Sequence, residues 1–543
     1  MAELSAKLAG LPTRVSPDDL VLLLLLAGEL ECGLCDVLND SANWAPAVRL
    51  TDLLARVAIV FDGLPCDKGA LSDALPILDR IRCSGELAIG VPEGFAYYAL
   101  HPLDYADLVD RLKLSAQSVL VMGVRSIGTT LSAVVAAKFR ESGILAERFT
   151  VRPTGHPYDR QCEFDSTQRN AIATALGVNA EFLICDEGPG RSGSSLLSVA
   201  DALEREGVPQ SRITILCSHE PNIDSLSAPD GGRRWKRLRV AASGMTRRLP
   251  TEATEYLGTG EWRRELLPGE QSWPAVWPQM ERLKYISSQH RILLTFEGYG
   301  PYGAAVRRRN QALAIAGFGP AYLGQEAGFG REIIEKGRLA EDGDLAPRLL
   351  SHMAGYCAWR ASELAVSGAD ASELETMARV NFERAFQVVP GPILLSIERP
   401  TICDSRMMPY QWLLSDDGRC LKLDSAIHGD DHFFPGPCDI AWDLAGIVVE
   451  WNLTGPARQF LLDKYQQLSG DDAAHRMPHY EMAYATFRMA WSGMAAGSVS
   501  TGKEAERLFR DYQRYRCWIE ARSRPAIARD GPLPKMEIGA AVL

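Results

Sequence analysis

Two acidic residues stand directly before a loop of small and polar residues in the segment "FLICDEGPGRSGSS" (182–195). Asp186 and Glu187 follow an apolar run and precede glycines, an arginine and serines. Backbone N–H groups in such a loop, with the N-terminus of the helix that follows, can surround a phosphate group. The two carboxylates would repel a phosphate, so we expect them to bind sugar hydroxyls and to stabilise a cationic sugar.

A related unit occurs earlier in the chain. The β-branched run "SVLVMGV" (118–124) predicts a strand, "RSIGTT" (125–130) a polar turn, and residues 131–143 a helix that ends at a glycine. Strands that alternate with helices in this way predict a parallel α/β sheet, which binds ligands beyond the carboxyl ends of its strands. The Gly/Pro segment "RPTGHPYDR" (152–160) lies between the two units. Its Arg152, His156 and Arg160 either clamp an anionic ligand or are surface charges on an ordinary turn.

These segments resemble the phosphoribosyl diphosphate signature of type I phosphoribosyltransferases. The resemblance implies a doubly wound parallel sheet of that type, with Asp186 and Glu187 on the ribose 2′- and 3′-hydroxyls and Mg²⁺ bridging the diphosphate and the sugar. By the same resemblance the 5′-phosphate is held by Gly190, Arg191, Ser192, Gly193, Ser194 and Ser195. The diphosphate is held by Gly123, Val124, Arg125 and Ser126, and Arg152 and Arg160 are candidates to clamp the diphosphate or the substrate. This chain has four residues between the acid pair and Ser192, one more than is usual in the family.

The C-terminal half contains a second constellation of acids. The segment from "LLTFEGYG" to "GFGREIIEKGRL" (293–339), followed by "ICDSRMMPYQWLLSDDGRCLKLD" (402–424), resembles choline kinases and aminoglycoside phosphotransferases. The resemblance implies an α+β kinase-like domain rich in helices, with Asp404 as the catalytic aspartate. It implies that Asp424 and Gln411 bind Mg²⁺ and that ATP is a possible cofactor, because phosphoryl transfer depends on metal and positioned acids. "DIAWDLAG", with Asp439 and Asp443, resembles the element that closes this motif.

Two positions depart from the kinase pattern. Thr295 stands where that family has its nucleotide-binding Lys or Arg, and the helix that should supply the partner Glu reads "RRRNQ". The insert "HGDDH" (428–432) is either a metal or phosphate contact or a solvated acidic loop.

Charge and composition exclude several classes of protein. The net charge of −11 argues against nucleic-acid binding. The apolar run that begins at Leu20 reaches Glu29 too soon for a membrane span, which needs about 20 apolar residues. It therefore predicts a buried helix, and nothing like a signal peptide precedes it. Cysteines without regular spacing agree with a reduced, cytoplasmic protein.

We therefore expect a helical N-terminal cap (1–94), a phosphoribosyltransferase-like domain (95–225), a linker with the start of the next domain (226–285), and a kinase-like domain (286–543). The leading hypothesis is an enzyme of nucleotide or nucleoside-like metabolism. It would transfer a phosphoribosyl group from or to phosphoribosyl diphosphate, or act on a ribose 5-phosphate derivative, and would carry a coupled phosphotransferase; a homodimer is possible. In one alternative only one half is catalytic and the other senses a ligand or acts as a scaffold. In another the whole chain is a regulatory binding protein.

Overall fold

The structure is a computed structural model that describes residues 1–38, 41–82, 89–114, 116–289, 291–427, 433–434, 436–499 and 501–523. The chain divides into two compact units. The first comprises Met1–Thr251, Phe296–Ala304 and Glu326–Phe329, and the second comprises Glu252–Thr295, Ala305–Gln325 and Gly330–Leu543. Both units contain helices and strands.

The first unit is a mixed α/β structure. Its helices in the described residues are α1 (Ala2–Ala9), α2 (Pro17–Val37), α3 (Ser41–Val60), α4 (Ala74–Leu78), α5 (Glu93–Ala96), α6 (Asp104–Arg111), α7 (Ile127–Glu141), α8 (Ser166–Gly177), α9 (Ser194–Arg205) and α10 (Gly231–Trp235). Its strands there are β1 (Arg14–Val15), β2 (Cys66–Asp67), β3 (Ser118–Val124), β4 (Leu145–Val151), β5 (Thr154–His156), β6 (Asp159–Gln161), β7 (Glu181–Cys185), β8 (Ile213–Cys217) and β9 (Arg239–Ala242).

A five-stranded sheet forms the centre of the described part of this unit. Its order is β4-β3-β7-β8-β9, and all neighbouring strands are parallel. Strand β3 coincides with the predicted run and is buried along nearly its whole length, as expected for an apolar strand inside a parallel sheet. The predicted parallel α/β sheet is therefore confirmed, whereas its assignment to the phosphoribosyltransferase type rests on the sequence resemblance.

The turn after β3 is shorter than predicted. Helix α7 begins at Ile127 rather than after Thr130, so the polar turn is reduced to Arg125 and Ser126. Thr129, Thr130 and Ser132 are buried within the helix. Their polar side chains suggested a solvated turn, but small hydroxyl residues also allow a helix to approach a sheet closely, and Ser132 donates its hydroxyl proton to the Thr129 carbonyl (2.9 Å).

The N-terminal apolar run forms part of α2. Ser16 caps this helix by accepting the Asp19 N–H (3.1 Å), and Pro17 occupies the first helical position. Leu20 and Leu23 to Leu26 are buried, which confirms the predicted buried helix. Among the described residues, no helix has the length and apolar character needed to cross a membrane.

The second unit is richer in helices. The helices that it contains wholly or largely are α11 (Trp262–Leu266), α12 (Gly300–Ile315), α13 (Pro347–Glu363), α14 (Ser372–Phe386), α15 (Ala441–Glu450), α16 (Gly455–Ser469), α17 (Met477–Val499) and α18 (Lys503–Arg522). The strands are β10 (Glu255–Tyr256), β11 (Lys284–Ser287), β12 (Ile292–Phe296), β13 (Tyr322–Glu326), β14 (Phe329–Ile333), β15 (Gly337–Leu339), β16 (Pro400–Thr401), β17 (Trp412–Ser415), β18 (Cys420–Lys422) and β19 (Cys438–Asp439).

Three sheets are described in this unit. The largest has the order β10-β11-β12-β14-β13, a second has the order β15-β17-β18, and β16 pairs with β19. Helices α13 to α18 contribute to one apolar core that includes the buried Trp412 and Trp442. This core includes described residues of the segment 402–446, in which the sequence predicts the acidic site.

The segment 226–285, predicted as a linker and the start of the second domain, contributes regular structure to both units. Strand β9 is an edge strand of the parallel sheet, with Val240 in register with Ile215. Strands β10 and β11 belong to the largest sheet of the second unit. The short strands of this segment have no sustained apolar period, so their sheet partners could not be recognised from the sequence.

Candidate functional site

A cavity of about 270 Å³ opens at the carboxyl edge of the parallel sheet. The chain passes from β3 to β4 on one side and then returns to β7 on the other side of β3. This change of direction leaves a crevice between the carboxyl ends of β3 and β7, the usual place for ligands in such sheets. The cavity is lined by Val91, Glu93, Val124, Arg125, Ser126, Ile127, Arg152, Pro153, Arg160, Asp186, Glu187 and Ser195.

The structure thus brings eight predicted site residues to one cavity, while six others do not line it. The eight are Val124, Arg125, Ser126, Arg152, Arg160, Asp186, Glu187 and Ser195. The six are Gly123, Gly190, Arg191, Ser192, Gly193 and Ser194.

The acid pair is fixed by contacts within the unit. The Glu187 N–H donates to the Asp186 carboxylate (2.8 Å), and the Tyr105 hydroxyl donates to the Asp186 carbonyl. Burial raises the pKa of Asp186 to about 7, although the Glu187 N–H and the charge of Arg152 act in the opposite direction. Glu187 accepts the N–H of Gly94 (3.0 Å). Near neutral pH, Asp186 can therefore exchange a proton.

The arginines share a carboxylate that sequence reasoning missed. Arg152 donates to Asp36 through Nε (3.1 Å) and Nη2, and Arg125 donates to the same carboxylate through Nη1 (3.2 Å). Arg152 also donates to the Arg125 carbonyl (3.1 Å) and lies 3.3 Å from Cys32 Sγ. Asp36 precedes the last residue of α2, 116 positions before Arg152, and no local signal links the two residues.

The glycine at the end of β3 has a packing role. A Cβ atom on Gly123 would lie 2.2 Å from the Gly128 carbonyl oxygen and 2.6 Å from Ser132 Oγ. Ser126, the N-cap residue of the following helix, has a φ of +97°, a conformation that L residues rarely adopt. Such strain is often found at functional sites, and here it lies on the cavity wall.

The serine loop contacts the hairpin formed by β5 and β6. The hydroxyls of Ser192 and Ser194 lie 3.0 and 2.7 Å from the Pro157 carbonyl, and the Ser194 N–H donates to Ser192 Oγ (3.2 Å). Both hydroxyls therefore have hydrogen-bond partners within the unit. Ser195, in the first turn of α9, lines the cavity. Arg160 lines the cavity from the hairpin and donates to the Pro153 carbonyl (3.4 Å).

In the second unit, Asp404 is fully buried in a charged network. Its Oδ2 accepts a hydrogen bond from the Tyr356 hydroxyl (2.5 Å) and lies 3.1 Å from Lys422 Nζ. Burial dominates the balance at Lys422 and lowers its pKa, against the opposing charge of Asp404. Because Lys422 comes two residues before Asp424, this ion pair joins the two predicted acidic segments.

Asp443 holds the backbone beside Asp404. Its carboxylate accepts the N–H groups of Asp404 and Ser405, each at 2.9 Å, and lies 3.5 Å from Arg360 Nε. Burial raises the pKa of Asp443 to about 6. Ser405 has a φ of +66°, so the backbone is constrained at the end of this predicted motif. Asp443 thus stabilises the backbone of the loop that contains Asp404.

Asp439, the other acid of the closing element, stabilises the backbone at residues 398–399. It accepts the N–H groups of Glu398 and Arg399 (both 2.7 Å) and forms an ion pair with Arg476 (3.2 Å). Both acids of the closing element, Asp439 and Asp443, therefore accept backbone N–H groups of neighbouring segments. The "HGDDH" insert (428–432) lies outside the described residues.

Asp424 and Gln411 lie on adjacent segments. The N–H of Leu423 donates to the Gln411 carbonyl (2.9 Å), and Asp424 has a φ of +54°. The Gln411 side-chain oxygen is buried and has no hydrogen-bond partner in the described part of the chain. Asp424 Oδ2 contacts Lys284 Nζ at 2.5 Å. Sequence reasoning also missed Lys284, because 140 positions separate it from Asp424.

A magnesium ion is compatible with this pair of segments. Mg²⁺ prefers oxygen ligands and is usually held by one or two protein groups, with phosphate and water completing its shell. The Asp424 carboxylate and the unpartnered Gln411 oxygen provide such groups. No cluster of three or more His, Cys, Asp or Glu ligands occurs among the described residues. Water and phosphate oxygens would complete the shell of an ion held by Asp424 and Gln411.

Comparisons with known proteins give structural likenesses. No protein-family model and no curated protein matches the sequence. Choline kinase LicA from Streptococcus pneumoniae is similar at 14% identity and a TM-score of 0.29, covering 44% of this chain and 90% of that one. An ethanolamine kinase from Plasmodium vivax is similar at 10% identity and 0.30, covering 43% and 78%. A choline kinase from Cryptosporidium parvum is similar at 11% identity and 0.31, covering 49% and 95%.

The chain is therefore similar, over somewhat less than half of its length, to solved choline and ethanolamine kinases. At TM-scores near 0.3, these matches do not assign an activity.

Proposed function

We propose that the second unit is a phosphotransferase that moves the terminal phosphoryl group of a magnesium nucleotide to a hydroxyl of a small molecule. The observation that carries the proposal is the Lys422–Asp404 ion pair of 3.1 Å, because it joins the Asp404 loop to the strand that leads to Asp424. Phosphoryl transfer needs positioned acids and a metal site more than it needs covalent chemistry. Asp424 and Gln411 would hold Mg²⁺, which would neutralise charge on the phosphates.

Asp404 is proposed to position the acceptor hydroxyl. Its side chain is fully buried against Tyr356 and Lys422, so an acceptor can reach it only if this segment opens. Choline and ethanolamine are the first acceptors to test, because they are the compounds named for the similar kinases. A hydroxyl on any other small metabolite would satisfy the same chemistry.

Nucleotide binding can be tested by the thermal stability of the full chain. A ligand that binds only the folded state raises the melting temperature, by an amount that grows with its concentration. We expect ATP with Mg²⁺ to raise it for the wild type and not for Asp424→Asn. Asp463→Asn removes an exposed carboxylate that contacts Gln459, and it serves as the matched control. A wild-type melting temperature that does not respond to ATP and Mg²⁺ contradicts the proposal.

A second function, phosphoribosyl transfer in the first unit, is favoured by the cavity at the sheet edge. Three arginines and three acids converge there, which suits a ligand with both phosphate groups and sugar hydroxyls. We propose that Arg125, Arg152 and Arg160 bind diphosphate, while Asp186 and Glu187 bind the ribose. Ser195, in the first turn of α9, would contact the 5′-phosphate together with the helix N-terminus.

Calorimetric titration with phosphoribosyl diphosphate and Mg²⁺ tests this second function. We expect wild-type binding that weakens at least tenfold in Arg152→Ala. Arg233→Ala, which removes an exposed arginine paired with Asp230, should leave the affinity unchanged. If the wild type does not bind phosphoribosyl diphosphate, phosphoribosyl transfer is excluded. At most one half of the chain would then be catalytic.

A further inference from the structure

The sequence has no basic residue at the strand position where the kinase family that it resembles has its nucleotide-binding Lys or Arg. That position is Thr295 on β12, and the structure gives Thr295 no substitute contact: its Oγ1 is buried without a hydrogen-bond partner among the described residues. A nucleotide bound by Asp424 and Mg²⁺ would still present phosphate charge that a cation must balance. A basic side chain from another element is therefore needed.

Lys284 is in register with Thr295. Strands β11 and β12 are antiparallel, and Lys284 pairs directly with Thr295 while Ser287 pairs with Ile292. Directly paired residues on neighbouring antiparallel strands project from the same face of the sheet. A lysine at position 284 therefore projects from the same face as a lysine at position 295 would.

Lys284 also reaches the proposed metal ligand. Its Nζ lies 2.5 Å from Asp424 Oδ2, and the two side chains are only 10% and 19% exposed. The charges of two acids, Asp424 and Glu281, act on this ammonium group. Glu281 is itself held by the Gly260 N–H (2.6 Å) and the Trp262 indole N–H (2.8 Å).

We infer that Lys284 is the phosphate-binding lysine of the second unit, supplied from the neighbouring strand in place of the residue absent at Thr295. The inference rests on the proposed phosphotransferase function. Without nucleotide, Asp424 serves as the counter-ion of Lys284. A bound magnesium nucleotide would have Asp424 as a ligand of its metal and Lys284 as a partner of its phosphate oxygens, so each buried charge would keep an opposite partner.

The test is calorimetric titration of the full chain with ATP and Mg²⁺. Lys284→Met should weaken binding by about tenfold or more, since hydrogen bonds to charged groups contribute about 1.5–3 kcal/mol. The double variant Lys284→Met/Thr295→Lys returns the amine to the same face and should recover most of the affinity. Lys503→Met removes an exposed lysine paired with Glu270 and should have no effect. Adenosine, which has no phosphate, should bind wild type and Lys284→Met equally.

Each outcome decides the inference. Wild-type affinity in Lys284→Met, or a loss that Thr295→Lys does not recover, overturns it while leaving the phosphotransferase proposal in place. A wild-type chain that does not bind ATP overturns both. If Lys284→Met does not fold because Asp424 has lost its counter-ion, Lys284→Arg keeps a cation there. Its expected loss is about three- to tenfold, because a planar guanidinium does not reproduce the ammonium geometry, and unchanged affinity in this variant also overturns the inference.

Discussion

Asp36 and Arg152 form an ion pair in the first unit, with Asp36 Oδ1 3.1 Å from Arg152 Nε. The same carboxylate accepts a hydrogen bond from Arg125, so one acid neutralises two of the arginines that line the cavity. An anionic ligand that bound Arg125 and Arg152 would have to compete with Asp36 for their guanidinium hydrogens.

Asp36→Asn should tighten the binding of inorganic diphosphate with Mg²⁺. The pair is partly exposed, and such pairs contribute up to about 1 kcal/mol, so the gain is at most about fivefold. Calorimetric titration measures it. Asp201→Asn, which breaks a comparable pair with Arg234 in the same unit, should bind as the wild type does. Equal or weaker binding by Asp36→Asn would contradict competition by this carboxylate.

Gly123→Ala should destabilise the first unit. The added Cβ would meet the Gly128 carbonyl at 2.2 Å, and relieving such an overlap costs about 1–3 kcal/mol. Chemical denaturation measures the loss. Gly177→Ala, where a Cβ meets nothing within 4 Å, should be neutral or slightly stabilising. If both variants unfold as the wild type does, the packing explanation for Gly123 is wrong.

Asp186 should make stability depend on pH. Its pKa is raised to about 7 in the folded protein, above its ordinary value, so the folded state binds the proton more tightly. The contribution of Asp186 to stability therefore falls as pH rises from about 4 to 7 and is constant above this range. Since water screens the partly buried group, the fall should be about 2 kcal/mol.

Asp186→Asn removes this titration. Denaturation of both proteins at several pH values should find the variant gaining on the wild type as pH rises from about 4 to 7. A constant difference between the two proteins over that range would show that Asp186 does not titrate there.

Asp443→Ala should unfold the second unit more easily. It leaves the Asp404 and Ser405 N–H groups without their acceptor and removes the buried carboxylate that pairs with Arg360, at a cost of about 3–5 kcal/mol. Glu383→Ala breaks only the exposed pair with Arg379 on α14 and should cost less than about 0.5 kcal/mol. Denaturant midpoints compare the two variants. Similar midpoints would mean that Asp443 does not stabilise the Asp404 loop.

The sequence predicted well those features that short segments determine. The apolar runs of β3 and β7 were recognised because a buried parallel strand is apolar along its length. The start of α7 was predicted too late, because buried Thr129 and Thr130 were interpreted as solvated turn residues. Packing of α7 against the sheet, rather than the polarity of these residues, determines where the helix begins.

The pairings within the sites could not be predicted in the same way. Asp36 and Arg152 are 116 positions apart, and Lys284 and Asp424 are 140 positions apart. Thr295 was recognised as a departure, but its replacement could be found only from the register of β11 on β12. Long-range contacts of this kind depend on how strands pair, which a single sequence does not specify.

The central claim, that the second unit transfers phosphoryl groups, is tested most directly by following the γ-phosphate of labelled ATP. The full chain is incubated with ATP, Mg²⁺ and a panel of small hydroxyl compounds that begins with choline and ethanolamine. We predict a labelled product with the wild type and with Asp463→Asn, and none with Asp424→Asn. Label transferred equally by Asp424→Asn, or by none of the proteins although the wild type binds ATP, would contradict the claim.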